Sequence, residues 1–141
     1  MAIAGYSGTP LPKKLGLKDG QRAFFMTLPA EHEELAGAAE FVTVKRSETP
    51  DGLDAGSFDV ALAFFTESAS LASALPAFRR AIAPNGLLWV SWPKRASRVP
   101  TDITEDVIRS HALPIGLVDV KVCAVDETWS GLKLVIRKEL R

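Results

Sequence analysis

Cysteine occurs once in this chain, at Cys123, which excludes an intramolecular disulfide framework. Histidine is nearly as scarce. His32 and His111 lie far apart, with no cysteine or carboxylate at metal-ligand spacing, so no structural metal is expected. Net charge is missing too: 17 Lys and Arg residues balance 17 Asp and Glu, which leaves no overall field to gather nucleic acid or an anionic membrane surface. No window reaches the roughly 18 unbroken apolar residues that mark a membrane helix. The opening Met1-Ala2-Ile3-Ala4 is followed too soon by Lys13 and Lys14 to read as a signal peptide. The expectation is a soluble, cytoplasmic protein without a nucleic-acid or membrane partner.

What the chain does have is core material, 47% hydrophobic residues in 141, enough for one domain spanning residues 1–141. Residues 57–94 are the most informative stretch. Val60, Leu62 and Phe64 alternate with Ala61, Ala63 and Phe65, so both sides of this strand are apolar, as in an interior parallel strand covered on two faces. Leu71, Leu75, Phe78 and Ile82 then recur at helical spacing and leave Arg79 and Arg80 toward solvent. Pro84-Asn85-Gly86 is expected to stop that helix and turn the chain into a second doubly apolar strand, residues 87–92. Strand, helix, strand in this pattern is a right-handed parallel crossover.

The flanks add further elements. Thr9 and Pro10 can open a short helix over residues 9–15 that stops at Gly16. Residues 22–28 read as a first strand and residues 41–45 as a second, with Pro29 opening a helix between them whose first turn carries Glu31, Glu33 and Glu34. Residues 46–56 have loop composition. Asp102, with Glu105 three residues on, is expected to cap a helix that carries Ile103, Val107, Ile108 and His111 on one face. Residues 118–125 and 132–136 are strands joined by too short a connection for anything except an antiparallel hairpin. The fold class is therefore α/β: a three-layer, Rossmann-like sheet of about six strands, parallel except for the last.

This order of elements, ending in a hairpin, resembles a class I methyltransferase core that has lost one strand-helix unit. The strings YSGTPLPKKLGL, LLWVSWPK and DETWSGLKLV are also similar to a small bacterial family catalogued only as a domain of unknown function. That resemblance spans nearly the whole chain and carries no reaction with it. The methyltransferase resemblance implies S-adenosylmethionine, held by a glycine turn after the first strand and an acid after the second. Here the first position reads Thr27-Leu28-Pro29-Ala30-Glu31: no glycine, one amide removed by proline, and carboxylates where an anion would approach. The second position reads Lys45-Arg46. No cofactor is expected.

In an open parallel sheet, ligands bind beyond the carboxyl ends of the strands. The residues delivered to that rim are Tyr6, Ser7, Thr27, Thr66, Glu67, Lys94, Asp126, Glu127 and Trp129. Lys94 either meets an anion or acts as a nucleophile, or else is simply solvated, a reading that includes pairing with a structural carboxylate. Trp129, in the hairpin turn, closes over a ligand or packs over the sheet against Trp92 or Leu132. Asp126 and Glu127 are an acid-base pair or hydrated turn residues. Glu67 reads as helix-start chemistry. Tyr6 and Ser7 either reach a ligand or cover the sheet. Lys94, Arg95 and Arg98 form a local basic patch. Ser91 lacks the flanking glycines of a nucleophile elbow. Three functions fit: a non-catalytic methyltransferase-like domain binding a small molecule or protein partner at the rim, a small-substrate transferase using Lys94 with Asp126 or Glu127, or a structural homo-oligomer.

Overall fold

The computed structural model describes residues 9–141. Strands β1 (Arg22–Met26), β2 (Thr43–Ser47), β3 (Phe58–Phe64), β4 (Ile82–Pro93), β5 (Leu117–Ala124) and β6 (Trp129–Ile136) form one sheet in the order β2-β1-β3-β4-β6-β5. β1 pairs in parallel with both β2 and β3, and β3 with β4. β6 inserts between β4 and β5, antiparallel to each. The predicted α/β sheet with a single reversed last strand is what the chain forms.

One face of the sheet is covered by two helices, α2 (Ser68–Ala81) and α3 (Glu105–Ala112), which follow the short helix α1 (Leu11–Lys14) in the chain. Leu71, Leu75 and Phe78 of α2 pack on Phe24, Phe58, Leu88 and Val90. The other face has no long helix among the described residues. Leu15, Leu17 and Leu35 cover Phe25, Leu62, Phe64 and Trp89, and the buried Trp89 indole N–H donates to the Leu15 carbonyl at 2.8 Å. β3 is apolar on both sides because it is buried on both, with Val60 through Phe64 at 3% exposure or less.

Local departures from expectation have tertiary causes. α2 runs directly into β4 at Ile82, and Pro84-Asn85-Gly86 lies inside the strand as a bulge. Phe58 faces Ile82 and Val60 faces Leu87, so residues 83–86 oppose Asp59 alone. A Cβ on Gly86 would sit 2.7 Å from Ile82 Cγ1 and 3.0 Å from the Asp59 carbonyl, so this bulge needs glycine. β2 is shifted two residues along from the expected span, because its parallel pairing with β1 begins at Arg22 opposite Thr43 and carries Arg46 and Ser47 out of the supposed loop. α1 starts after Pro10 without a side-chain cap, so Thr9 does not cap it.

Asp102 does not cap its own helix either. Thr104 does, accepting from the Val107 amide, while Asp102 reaches across to α2 and accepts from Ser68 N at 2.7 Å and Ser68 Oγ at 2.6 Å. Helix-start chemistry for α2 thus comes from Asp102 rather than from Glu67, whose side chain caps nothing. Ile108 of α3 is buried and His111 is half-buried. The expected helix after Pro29 is instead a run of tight 3-10 turns, Ala30–Gly37, broken at His32, whose φ of −118° and ψ of 22° leave the helical region. Only His32 and Leu35 of this segment are buried, too few at helical spacing to hold a regular helix against the sheet. Among the described residues, no helix is long and apolar enough to cross a membrane.

Candidate functional site

The parallel strands deliver Thr27, Ser47, Thr66, Lys94 and Asp126 to one end of the sheet, and the β5–β6 hairpin turns at that same end. Lys94 and Trp129 are neighbours there: Pro93 lies opposite Trp129, and the Lys94 amide donates to the Thr128 carbonyl at 2.7 Å. Tyr6 and Ser7 lie outside the described residues. Thr66 and Glu67 are exposed and belong to the other side of the rim, where Thr101 Oγ1 donates to the Thr66 carbonyl at 2.6 Å.

Trp129 is the first residue of β6 rather than part of the turn. Its ring meets Phe64 edge-on at 5.1 Å between centroids, on the face opposite Trp92 and Leu132. It therefore covers neither of the two residues expected beneath it. Strand alternation decides this, since Trp129 faces the same side as Gly131 and Leu132 faces the other. Lys94 is half-buried and forms no ion pair with a carboxylate among the described residues, so of its alternatives the carboxylate pairing is not made.

Asp126 organises the hairpin. Its Oδ1 accepts from the Thr128 and Trp129 amides, both at 2.7 Å, which is the side-chain turn that reverses the chain. Its Oδ2 lies 2.7 Å from His32 Nε2. Burial alone would raise this carboxyl, but the two turn amides and His32 outweigh burial and hold it below the ordinary carboxylate range. An ionised Asp126 only accepts, so Nε2 carries the proton, and in neutral His32 Nδ1 is then an acceptor. Nδ1 is buried and has no hydrogen-bond partner among the described residues; the nearest carboxylate, Glu34, stands 4.0 Å away. Glu127 is exposed.

This His32–Asp126 pair was not legible in the sequence, where His32 read as uninformative. The two are 94 positions apart, and only the 3-10 segment folding back over the end of β5 brings them together. The break in that segment at His32 is a backbone feature that composition does not announce.

On the far side of the rim, Thr27 carries a left-handed backbone, φ 54°, rare for a β-branched residue, and its amide donates to the Ser47 carbonyl at 2.9 Å. Glu33 and Arg46 form a two-bond ion pair, with Arg46 Nη2 donating to Oε1 at 2.8 Å and Nη1 to Oε2. The hydrogen bonds from Arg46 hold the Glu33 carboxyl below its usual value. The crevice between the ends of β1 and β2, about 250 Å³, is lined by Thr27, Leu28, Arg46, Ser47 and Glu48, of which Thr27 and Ser47 are joined through the backbone and Arg46 is held by Glu33.

No protein-family model matches the chain, and no curated protein matches it. Its architecture does have solved counterparts. An S-adenosylmethionine-dependent methyltransferase from Aquifex aeolicus superposes with a TM-score of 0.64 at 17% identity, over 88% of this chain and 86% of that one. The N-methyltransferase NodS from Bradyrhizobium japonicum gives 0.57 at 15% identity, over 85% and 88%. A Haemonchus contortus phosphoethanolamine N-methyltransferase gives 0.67 at 10% identity, over 91% of this chain and 52% of that one. The fold is methyltransferase-like. At such identities the likeness carries the architecture and no reaction. In that architecture, the crevice beyond β1 and β2 and the rim beyond β4 and β5 are the places where a ligand is expected.

Proposed function

We propose that this is a degenerate methyltransferase-like domain that binds a small molecule or a protein partner at the carboxyl-end rim of its sheet and does not transfer a methyl group from S-adenosylmethionine. The observation that carries this reading is the turn after β1. A cofactor of that type needs close backbone approach and free amides at this turn. Thr27 donates its amide to β2, Pro29 has none, and Glu33 is tied to Arg46 across the crevice. The adenosine ribose would meet Arg46 and Ser47, with Glu48, directly after β2, as the one acid among the described residues lining that end of the crevice. The turn after β1 does not fit the cofactor.

The rim near Lys94, Asp126 and Trp129 is the better candidate. It combines a lysine and a buried histidine nitrogen, neither with a side-chain partner among the described residues, and an aromatic ring. Isothermal titration of the protein with S-adenosylmethionine and S-adenosylhomocysteine tests the first half of the reading. Neither is expected to give saturable binding at concentrations up to about 1 mM. A dissociation constant in the low micromolar range for either would overturn it, since some other surface would then replace the missing glycine turn.

A further inference from the structure

Two clefts meet beside the end of β5, and neither is the crevice of the methyltransferase resemblance. The larger, about 480 Å³, lies between α1 and β5. Its lining includes Lys13, Lys14 and Lys121 and no carboxylate, in a chain whose charges otherwise cancel. None of these lysines forms an ion pair among the described residues, although arginines 22, 46 and 109 all do. Lys14 is positioned as well as charged: its Nζ donates to the Ala124 carbonyl at 3.2 Å, which holds the ammonium at the edge of β5.

Cys123 lines the same cleft, within reach of the Lys14 and Lys121 charges. Burial pushes the Cys123 thiol up, and Lys14, Lys121 and Lys94 all act against that rise. The second cleft, about 240 Å³, shares Thr9, Lys14 and Ala124 with the first and continues to His32 and the carboxylates of Glu31, Glu34 and Asp126, which leave the lysine end as the place for an anion. It brings an independent observation. His32, with 10% of its side chain exposed, has Nδ1 buried without a partner among the described residues, and an orphaned buried nitrogen is costly unless something completes it.

We infer that the joined clefts bind a small phosphorylated molecule, with its phosphate between Lys14 and Lys121 and a hydroxyl or amino group donating to His32 Nδ1. The lysines supply the charge and the histidine the orientation, a division that suits a ligand with an anionic end and a neutral polar end. This rests on the reading that the domain takes its ligand at the rim, and it names the ligand's chemistry. Phosphate favours lysine as a point charge, and three unpaired lysines without a competing carboxylate disfavour a cation in the larger cleft.

The test uses pyrophosphate as the bare anion and ribose 5-phosphate as an anion with hydroxyls, in calorimetry on the full chain. Both are expected to bind saturably. Lys14→Met and Lys121→Met should each weaken binding by about tenfold or more, while Lys18→Met, outside the cleft, should leave it within about twofold. Ribose 5-phosphate should move the nitrogen resonance of His32 Nδ1, and pyrophosphate should not. Equal affinities across wild type, Lys14→Met and Lys121→Met would overturn the phosphate assignment, as would no saturable binding of either probe. An unmoved Nδ1 resonance with ribose 5-phosphate bound would remove His32 from the site. S-adenosylmethionine binding, run in parallel, bears on the broader reading instead: it would overturn that reading whatever the phosphates do, whereas phosphate failure alone leaves it standing.

Discussion

Phe78→Ala is expected to destabilise the protein by about 3 to 5 kcal/mol, and Leu75→Ala by about 2 to 5 kcal/mol, in chemical denaturation. Both side chains are fully buried. Phe78 meets Phe24 at 5.8 Å and Phe58 at 6.0 Å between ring centroids, each edge-on, so its removal leaves a cavity where α2, β1 and β3 converge. The neighbours are themselves large and held by strands, and they cannot collapse far into the void. Such a loss is a large part of the roughly 5 to 15 kcal/mol by which a domain is stable. Lys94→Ala, at the rim, is expected to change stability by under about 1 kcal/mol. An equal loss for Lys94→Ala would mean that the lysine holds the fold rather than serving a ligand.

The contrast reflects what the sequence makes legible. The alternation in β3 and the helical stripe of α2 are repeated signals, each carried by several residues, and burial on both faces of a strand leaves an unbroken apolar run that solvent-facing segments do not show. The reversed last strand followed from the shortness of the connection before it. Boundaries were less visible because partners set them: β2 begins where β1 gives it a partner, and Pro84-Asn85-Gly86, chemically a turn, is absorbed as a bulge because β3 pairs with Ile82 before it and Leu87 after it. Asp102 has the composition of a cap for its own helix and caps another, since the loop from β4 carries it to the start of α2.

The site was legible as a place and not as a constellation. Topology alone put Lys94, Asp126 and Trp129 on one rim, and the structure brings them there. The side of the sheet on which Trp129 packs depends on which residue opens β6, a matter of one position, and the sequence pattern around residues 126–131 does not resolve it. His32 had no signal: it sits among glutamates in a segment of low hydrophobic periodicity, and its partner lies at the other end of the chain. The lysine cleft was equally hidden, because Lys13 and Lys14 come from α1 and Lys121 from β5, and a balanced composition conceals a local excess.

Asp126→Ala is expected to cost about 2 to 3 kcal/mol, the largest effect of any rim substitution, because one carboxylate satisfies three donors. Its loss leaves the Thr128 and Trp129 amides without their turn acceptor and His32 with neither nitrogen partnered. Asp126→Asn separates charge from geometry: its carbonyl still accepts from the two amides, and the carboxylate acceptor of the His32 Nε2 hydrogen bond is gone, so it should cost less than alanine. The pH dependence has a definite sign. The Asp126 carboxyl is lower in the folded protein than in the unfolded chain, so its contribution is fully present above the unfolded value of about 3.9 and is lost as pH falls through the lower folded value. The stability gap between wild type and Asp126→Asn, read from urea denaturation, should therefore be widest near neutral pH and narrow steadily below about pH 4. A gap that stays constant down to about pH 2.5 would show that the negative charge contributes nothing to holding the hairpin against the 3-10 segment.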